Sequence, residues 1–434
     1  MNFRFKVWPS RSVWGLVLLL LAAVMSLLLG GCAGIPGKRV PSQVSLSTVE
    51  KELSDADLLD VSIKVFDPGK LPDNEKDRRG LSEEIRQAES RFIPIHLKYT
   101  LQNSGYWGIV RVVPDDDDGA EVLIRGKIKY SDGESLSINV EVVDARNVVW
   151  FHKTYAETSE HPESARTEPG KEDIFQDLYN TITNDIVEYR NHLTAAEIRE
   201  IKEVSALRFA KSMVPEAFNG YLGENNHGGT ISIQRLPAED DPMMGRVRAI
   251  RARDDMLVDV INGYYDAYYQ DLWKPYNDWR KFRGEEVREM RKIKRQALTR
   301  ELLGAAAIIG AIAIAASGDS DTRGATSSLR DVMIIGGAAG IYSGSQKRQE
   351  AKINQEAIKE LGASFSSEAK PLVVEVEGET VRLTGSAKQQ YNRWHELLRQ
   401  IYARETGLIP ANSAPPEEAP AKNQADIPVD IDKR

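Results

Sequence analysis

Apolar residues recur along the chain in two periods, and the alternation between them predicts a mixed fold. Val61-Ser62-Ile63-Lys64-Val65 alternates as a strand does. Ile85, Ala88, Phe92, Ile95 and Tyr99 then fall at three- and four-residue spacing, the stripe of a helix that Pro94 would kink. Trp107 to Val113 predicts the next strand. Val122, Ile124, Ile128 and Tyr130 line one face of another, the turn Asp132-Gly133 leads to Leu136, Ile138, Val140 and Val142, and Val148 to Tyr155 completes a meander. Ile174, Leu178, Ile182, Ile186, Tyr189 and Leu193 trace a closing helix. The order β-α-β-β-β-β-α over residues 58–195 predicts one domain with helices on a mostly antiparallel sheet, and an α+β class.

Residues 196–300 read as a helical region. From Met243 the pattern is long, with an aromatic seam at Tyr265, Tyr269, Leu272, Tyr276 and Trp279. Pro275 interrupts it, which leaves two stacked helices or one kinked helix open. Residues 301–350 predict a helical hairpin: Leu302 to Ala316 is apolar, a polar loop through Asp319, Asp321 and Arg323 follows, and Val332 to Tyr342 is apolar again. Gly336, Gly340 and Gly344 strip one helix face of side chains. Because each such Gly costs about 1 kcal/mol against Ala, close approach of a partner helix is the expected compensation. Ala307, Ala311 and Ala315 repeat at the same spacing and supply the facing surface. Residues 351–408 predict an αββα unit, with a helix near Ala351–Leu361, strands Leu372–Val376 and Val381–Leu383 turning at Gly378, and a helix opened by a capping box of Ser386 and Gln389. Residues 409–434, with Pro415, Pro416 and Pro420 among acids, predict a disordered tail.

The first eleven residues carry Arg4, Lys6 and Arg11 and no acid, and they lead into the apolar run Val13 to Leu29, the order of a secretory signal. The run ends at Leu29-Gly30-Gly31-Cys32, which resembles the lipobox of bacterial lipoproteins. That resemblance implies removal of residues 1–31 as a signal peptide, and lipidation of Cys32 by a diacylglyceryl thioether. Ala33, where an inner-membrane lipoprotein would carry Asp, implies the periplasmic face of the outer membrane. The alternative is an uncleaved membrane anchor with an incidental cysteine. Residues 32–57, with Gly34, Pro36, Gly37 and Pro41, predict a flexible tether. Cys32 is the single cysteine, so with lipid on it no disulfide can form.

Charge and motif content narrow the function classes. The net charge is −8, and loss of the three signal cations Arg4, Lys6 and Arg11 leaves −11, which argues against a nucleic-acid partner. The histidines at 96, 152, 161, 192, 227 and 395 are scattered, and neither a phosphate-binding glycine loop nor a nucleophile elbow occurs. No metal, no cofactor and no enzymatic activity are therefore expected. Asp115-Asp116-Asp117-Asp118-Gly119 has the carboxylates for calcium but lacks the alternation and distant Glu of a known loop, so a solvated turn is the expectation. Tyr264, Tyr265, Tyr268, Tyr269, Trp273, Tyr276 and Trp279 have the rings to stack on glycan, yet a helix seam accounts for their spacing.

Three further resemblances bear on role. Gly108-Ile109-Val110-Arg111-Val112-Val113-Pro114 and Ser131-Asp132-Gly133-Glu134, in the element order above, look like the amino-terminal domain of TolB and the curli-secretion lipoprotein, which implies protein–protein contact in the envelope. The glycine face resembles the glycine-zipper segments of envelope proteins. Gly378-Glu379-Thr380-Val381-Arg382-Leu383-Thr384-Gly385 looks like the strand phrase of BON domains, which implies contact with phospholipid. Two functions follow as expectations: a lipid-anchored structural or adaptor protein that binds other envelope proteins or its own copies, or a membrane-inserting or channel-associated lipoprotein that uses the hairpin. The apolar runs, about 15 and 11 residues or roughly 22 and 16 Å as helix, fall short of a hydrocarbon core near 30 Å, which favours the first. Basic flanks, Arg288 to Arg300 before and Lys347, Arg348 and Lys352 after, would meet anionic head groups in the second.

Overall fold

The computed structural model describes residues 36–74, 81–159, 172–225, 229–317, 353–361, 372–376 and 379–406. Strand β1 (Lys38–Arg39) is followed by β2 (Leu59–Lys64), helix α1 (Glu83–Ser104), β3 (Trp107–Val113), β4 (Val122–Ser131), β5 (Ser135–Asp144), β6 (Val149–Thr158) and α2 (Gln176–Asn191). From β2 to α2 this is the predicted order. The six strands form one mixed sheet in the order β1-β6-β5-β4-β2-β3, and the class is α+β. The two long ladders, β4 with β5 and β5 with β6, are antiparallel. The short contacts of β2 with β3, β2 with β4, and β1 with β6 are parallel.

Local chemistry explains the helix boundaries. Ser82 caps α1 by accepting from Ile85 N, Glu83 and Glu84 occupy the positive first turn, and Gly105 ends the helix at φ 76, where an L side chain would be strained. Pro94 lies inside α1 without ending it. The carbonyl of Ser90, which a proline four residues on cannot serve, accepts instead from Phe66 N at 2.9 Å.

Both β3 and β4 run parallel to β2, so the chain between them must return along the sheet. The acidic run makes that return: Asp115 meets Lys64 at 2.7 Å, Asp117 accepts from Ser62 Oγ at 2.8 Å, and Glu121 accepts from Asp60 N at 2.9 Å.

After α2 come α3 (Ala195–Met213), α4 (Pro215–Phe218), the hairpin β7 (Leu222–Glu224) and β8 (Ile231–Ile233), and α5 (Pro242–Ser317). The capping box of Thr194 and Glu197 that opens α3 was not singled out from sequence. Helix α5 is one continuous element through Pro275, and not two stacked helices. Its 76 residues give a length of about 114 Å. It covers the β3 edge of the sheet: Asn262 Oδ1 accepts from Val112 N at 2.8 Å, Asn262 Nδ2 donates to Val112 O at 3.2 Å, and Arg111 pairs with Asp255 and Asp259. A side chain thus closes backbone groups that would otherwise invite another strand.

Helix α6 (353–361), the antiparallel pair β9 (Leu372–Val376) and β10 (Glu379–Leu383), and α7 (Ala387–Thr406) complete the described chain. The predicted box at α7 is present, with Ser386 N donating to Gln389 Oε1 at 2.8 Å and Gln389 N to Ser386 Oγ at 3.3 Å.

Two predicted boundaries need correction. Residue 300 lies inside α5, because the apolar run Leu302 to Ala316 continues the aromatic helix without a break. Residue 195 does not end a core: one buried apolar cluster runs from Val40 through Phe92, Val204, Tyr269 and Trp394 to Tyr402. The aromatic seam of α5 and the inner face of α7 share this cluster with α1 and the sheet, which merges the predicted units.

Candidate functional site

Cys32 lies outside the described residues, but the chain behind it does not behave as the predicted flexible tether. Ser137 Oγ donates to Pro36 O, β1 pairs with Tyr155 and Ala156, and Val40 N donates to Ala156 O at 2.8 Å. Asp177 then accepts from Gln43 N and Val44 N at 2.9 and 2.8 Å, which holds Gln43 at φ 61. Asn180 donates to Val44 O, and Asn184 bridges Ser45 O and Ser47 N. Residues 36–47 are therefore a strap, satisfied by the β6 edge and one polar face of α2. Gly37 serves a close approach: a Cβ there, at φ 120, would stand 2.8 Å from a Thr154 methyl.

The second constellation joins α5 to the domain. Phe92 of α1 lies with ring centroids 4.7 Å from Tyr269, 5.8 Å from Trp273 and 4.7 Å from Tyr276. Tyr265, Tyr268, Tyr269, Trp273, Tyr276 and Trp279 are all buried, so these six rings are core and not a glycan platform. Polar groups thread this seam. Arg280 donates to both oxygens of Asp173, at 2.9 and 2.5 Å, and stacks 4.3 Å above Tyr276. Glu89 accepts from Ser131 Oγ at 2.5 Å and Tyr276 OH at 2.7 Å. Burial raises the Glu89 carboxyl, against the opposing charge of Arg86 and those two donors. Burial would also raise Asp173, but the Arg280 charge, together with the hydrogen bonds from Arg280 and Phe175 N, holds that carboxyl down.

His96 is fixed in one tautomer. Gln176 Oε1, oriented by its amide's 2.9 Å bond to Asn180, can only accept, so His96 Nε2 donates to it at 2.9 Å and Nδ1 accepts from Tyr269 OH at 2.7 Å. Burial lowers its pKa and keeps the ring neutral. Sequence reasoning left His96 among scattered histidines and missed Asp173 and Arg280, because their partners are 80 to 173 residues distant.

The acidic run is a turn that is solvated only in part: Asp116 and Asp118 are exposed, but Asp115 takes Lys64 and Lys388, Asp116 takes Arg125, Asp118 lies 3.8 Å from Arg208, and the half-buried Asp117 accepts from Ser62 Oγ and Gly119 N. Burial would raise Asp115; hydrogen bonds from Lys388 and Lys64 prevail and bring it to about 2. For Asp117, burial and then the neighbouring Asp254 raise the carboxyl.

His395 of α7 sits 3.1 Å from Asp254 of α5, and closes a clasp between the run, α5 and α7. Burial would lower its pKa, but Asp254 and Asp117 outweigh burial and raise it, with Arg399 opposing. A histidine whose folded pKa is raised adds stability below its unfolded value, and loses it as pH rises through the folded one. Helix α7 is therefore expected to loosen as pH rises above the ordinary histidine range, and His395→Gln to remove that pH dependence. Amide exchange of residues 387–406 across that range checks it.

Of the proposed helix-packing residues, Ala307, Ala311 and Ala315 belong to α5, while Gly336, Gly340 and Gly344 lie outside the described residues. Among the described residues no group of three or more His, Cys, Asp or Glu is placed to hold a metal ion. An open groove of about 340 Å³ lies between α3 and the β7–β8 hairpin, lined by Arg208, Lys211, Leu222, Glu224 and Ile231 among others. No family model, curated protein or solved structure matches this chain.

Proposed function

We propose that the protein is a lipid-anchored adaptor of the bacterial cell envelope, held through Cys32 at the periplasmic face of the outer membrane and acting by protein contacts. One observation carries this reading: the single cysteine stands directly behind the apolar run Val13 to Leu29, four residues before the chain is secured to the sheet at Pro36. Two others support it. The buried titratable groups of the seam bond to one another and hold α5 to α1 and to the loop before α2. Helix α5 continues from 292 to 317, about 39 Å, past the Arg291 pairs with Asp132 and Glu134, and so provides an arm for a partner. The likeness to the TolB amino-terminal domain points the same way. Among the described residues no helix is long and apolar enough to cross a membrane, and the bilayer-entering hairpin is carried here as an outcome of the test.

Cys32→Ser is expected to abolish palmitate labelling and to leave an unprocessed precursor, while the wild type is labelled and sediments with the outer membrane. Unchanged labelling contradicts the anchor. A soluble Cys32→Ala periplasmic form that stays on membranes through an alkaline wash replaces the adaptor by the membrane-entering hairpin.

A further inference from the structure

From the strap we infer that the β1–β6 edge of the sheet is the face this domain turns to the membrane, where Lys38 and Arg39 meet anionic lipid head groups. The inference rests on the anchor at Cys32 proposed above.

Reach sets the first constraint. Four residue steps separate Cys32 from Pro36, and a chain of that length spans at most about 14 Å. Pro36 is not free to move away from the sheet, since Ser137 holds its carbonyl and β1 continues the contact along β6. Lipid on Cys32 therefore keeps Pro36, where this edge begins, within about 14 Å of the head groups. A flexible tether of residues 32–57, of the kind composition suggests, would have imposed no orientation.

Charge selects the same edge. Lys38 and Arg39 are exposed on β1 and have no ion-pair partner among the described residues. On α2, Asp177 is occupied by the Gln43 and Val44 amides, and Asp185 by Lys153 and Tyr155. In a chain whose net charge of −8 becomes −11 once residues 1–31 are removed, these two cations beside the anchor favour this edge toward an anionic surface and the acidic remainder away from it.

The test uses the chain from residue 32 onward, which keeps every described residue, coupled through its sole thiol to a maleimide lipid. Vesicles are of phosphatidylcholine alone or with phosphatidylglycerol. Amine modification is read by peptide mass spectrometry at Lys38 and at Lys274, whose side chain is 83% exposed on α5. On anionic vesicles Lys38 should react about fivefold more slowly than in the uncoupled chain, with Lys274 unchanged, and Arg39→Glu should weaken the protection. Equal Lys38 protection on both vesicle types, none on either, or protection of Lys274 instead overturns the inference. Chemical coupling bypasses cellular processing, so a failure here is distinct from a failure of the anchor, which palmitate labelling reads alone.

Discussion

Arg280→Ala is expected to cost about 3–5 kcal/mol of folding stability, because it leaves Asp173 as an uncompensated charge in the interior. Both side chains are closed to solvent, at 2% and 0% exposure, and Arg280 also donates to Asn277 and covers the Tyr276 ring. Removing the cation thus opens the joint between α5 and the loop that starts α2. Exchanging both partners for apolar residues of similar size, Arg280→Met with Asp173→Leu, should recover most of the loss, since the pair's own desolvation cost disappears with it. Urea unfolding of the two variants checks the prediction. Equal destabilisation by the single and double changes would show that the loss comes from packing alone.

Phe92→Ala is the second large effect, about 3–5 kcal/mol by loss of buried ring and creation of a cavity. Phe92 is fully buried on α1, and its ring meets Tyr269, Trp273 and Tyr276 of α5, so the truncation removes the apolar contact that joins the first predicted domain to the second. Because Arg280 lies 5.6 Å above the same ring, Phe92→Ala and Arg280→Ala share partners and should be less than additive. Near-independent unfolding of residues 58–195 and of α5 in the wild type, seen as two transitions, would contradict a shared core.

Period and spacing carried β2 to β6, β9, β10, α1, α2 and the α7 box, because alternation and the three-four stripe are local properties of the chain, but not the short strands β1, β7 and β8. Partnership between distant elements is not local. The α1 stripe at Phe92 and the α5 seam at Tyr269 could each be read as a buried face, yet nothing in either says that the faces meet. Composition misled at the strap: Pro36, Gly37 and Pro41 suggest mobility, while the fixing groups Asp177, Asn180 and Asn184 belong to a helix more than 130 residues away. Their three- and four-residue spacing on α2 was the available signal, a polar stripe on a helix whose other face is core. Likewise, four consecutive aspartates read as a solvated turn, and only the parallel pairing of β4 with β2 lays them across the sheet, where Lys64, Arg125 and Lys388 meet them.

The account depends most on what occupies Cys32. Intact mass and amino-terminal peptide mass of the protein extracted from envelopes address this directly. The account predicts a mature chain beginning at residue 32, with diacylglyceryl on the thiol and no species beginning at residue 1. A chain that retains residues 1–31, or one whose Cys32 thiol is free, would contradict it.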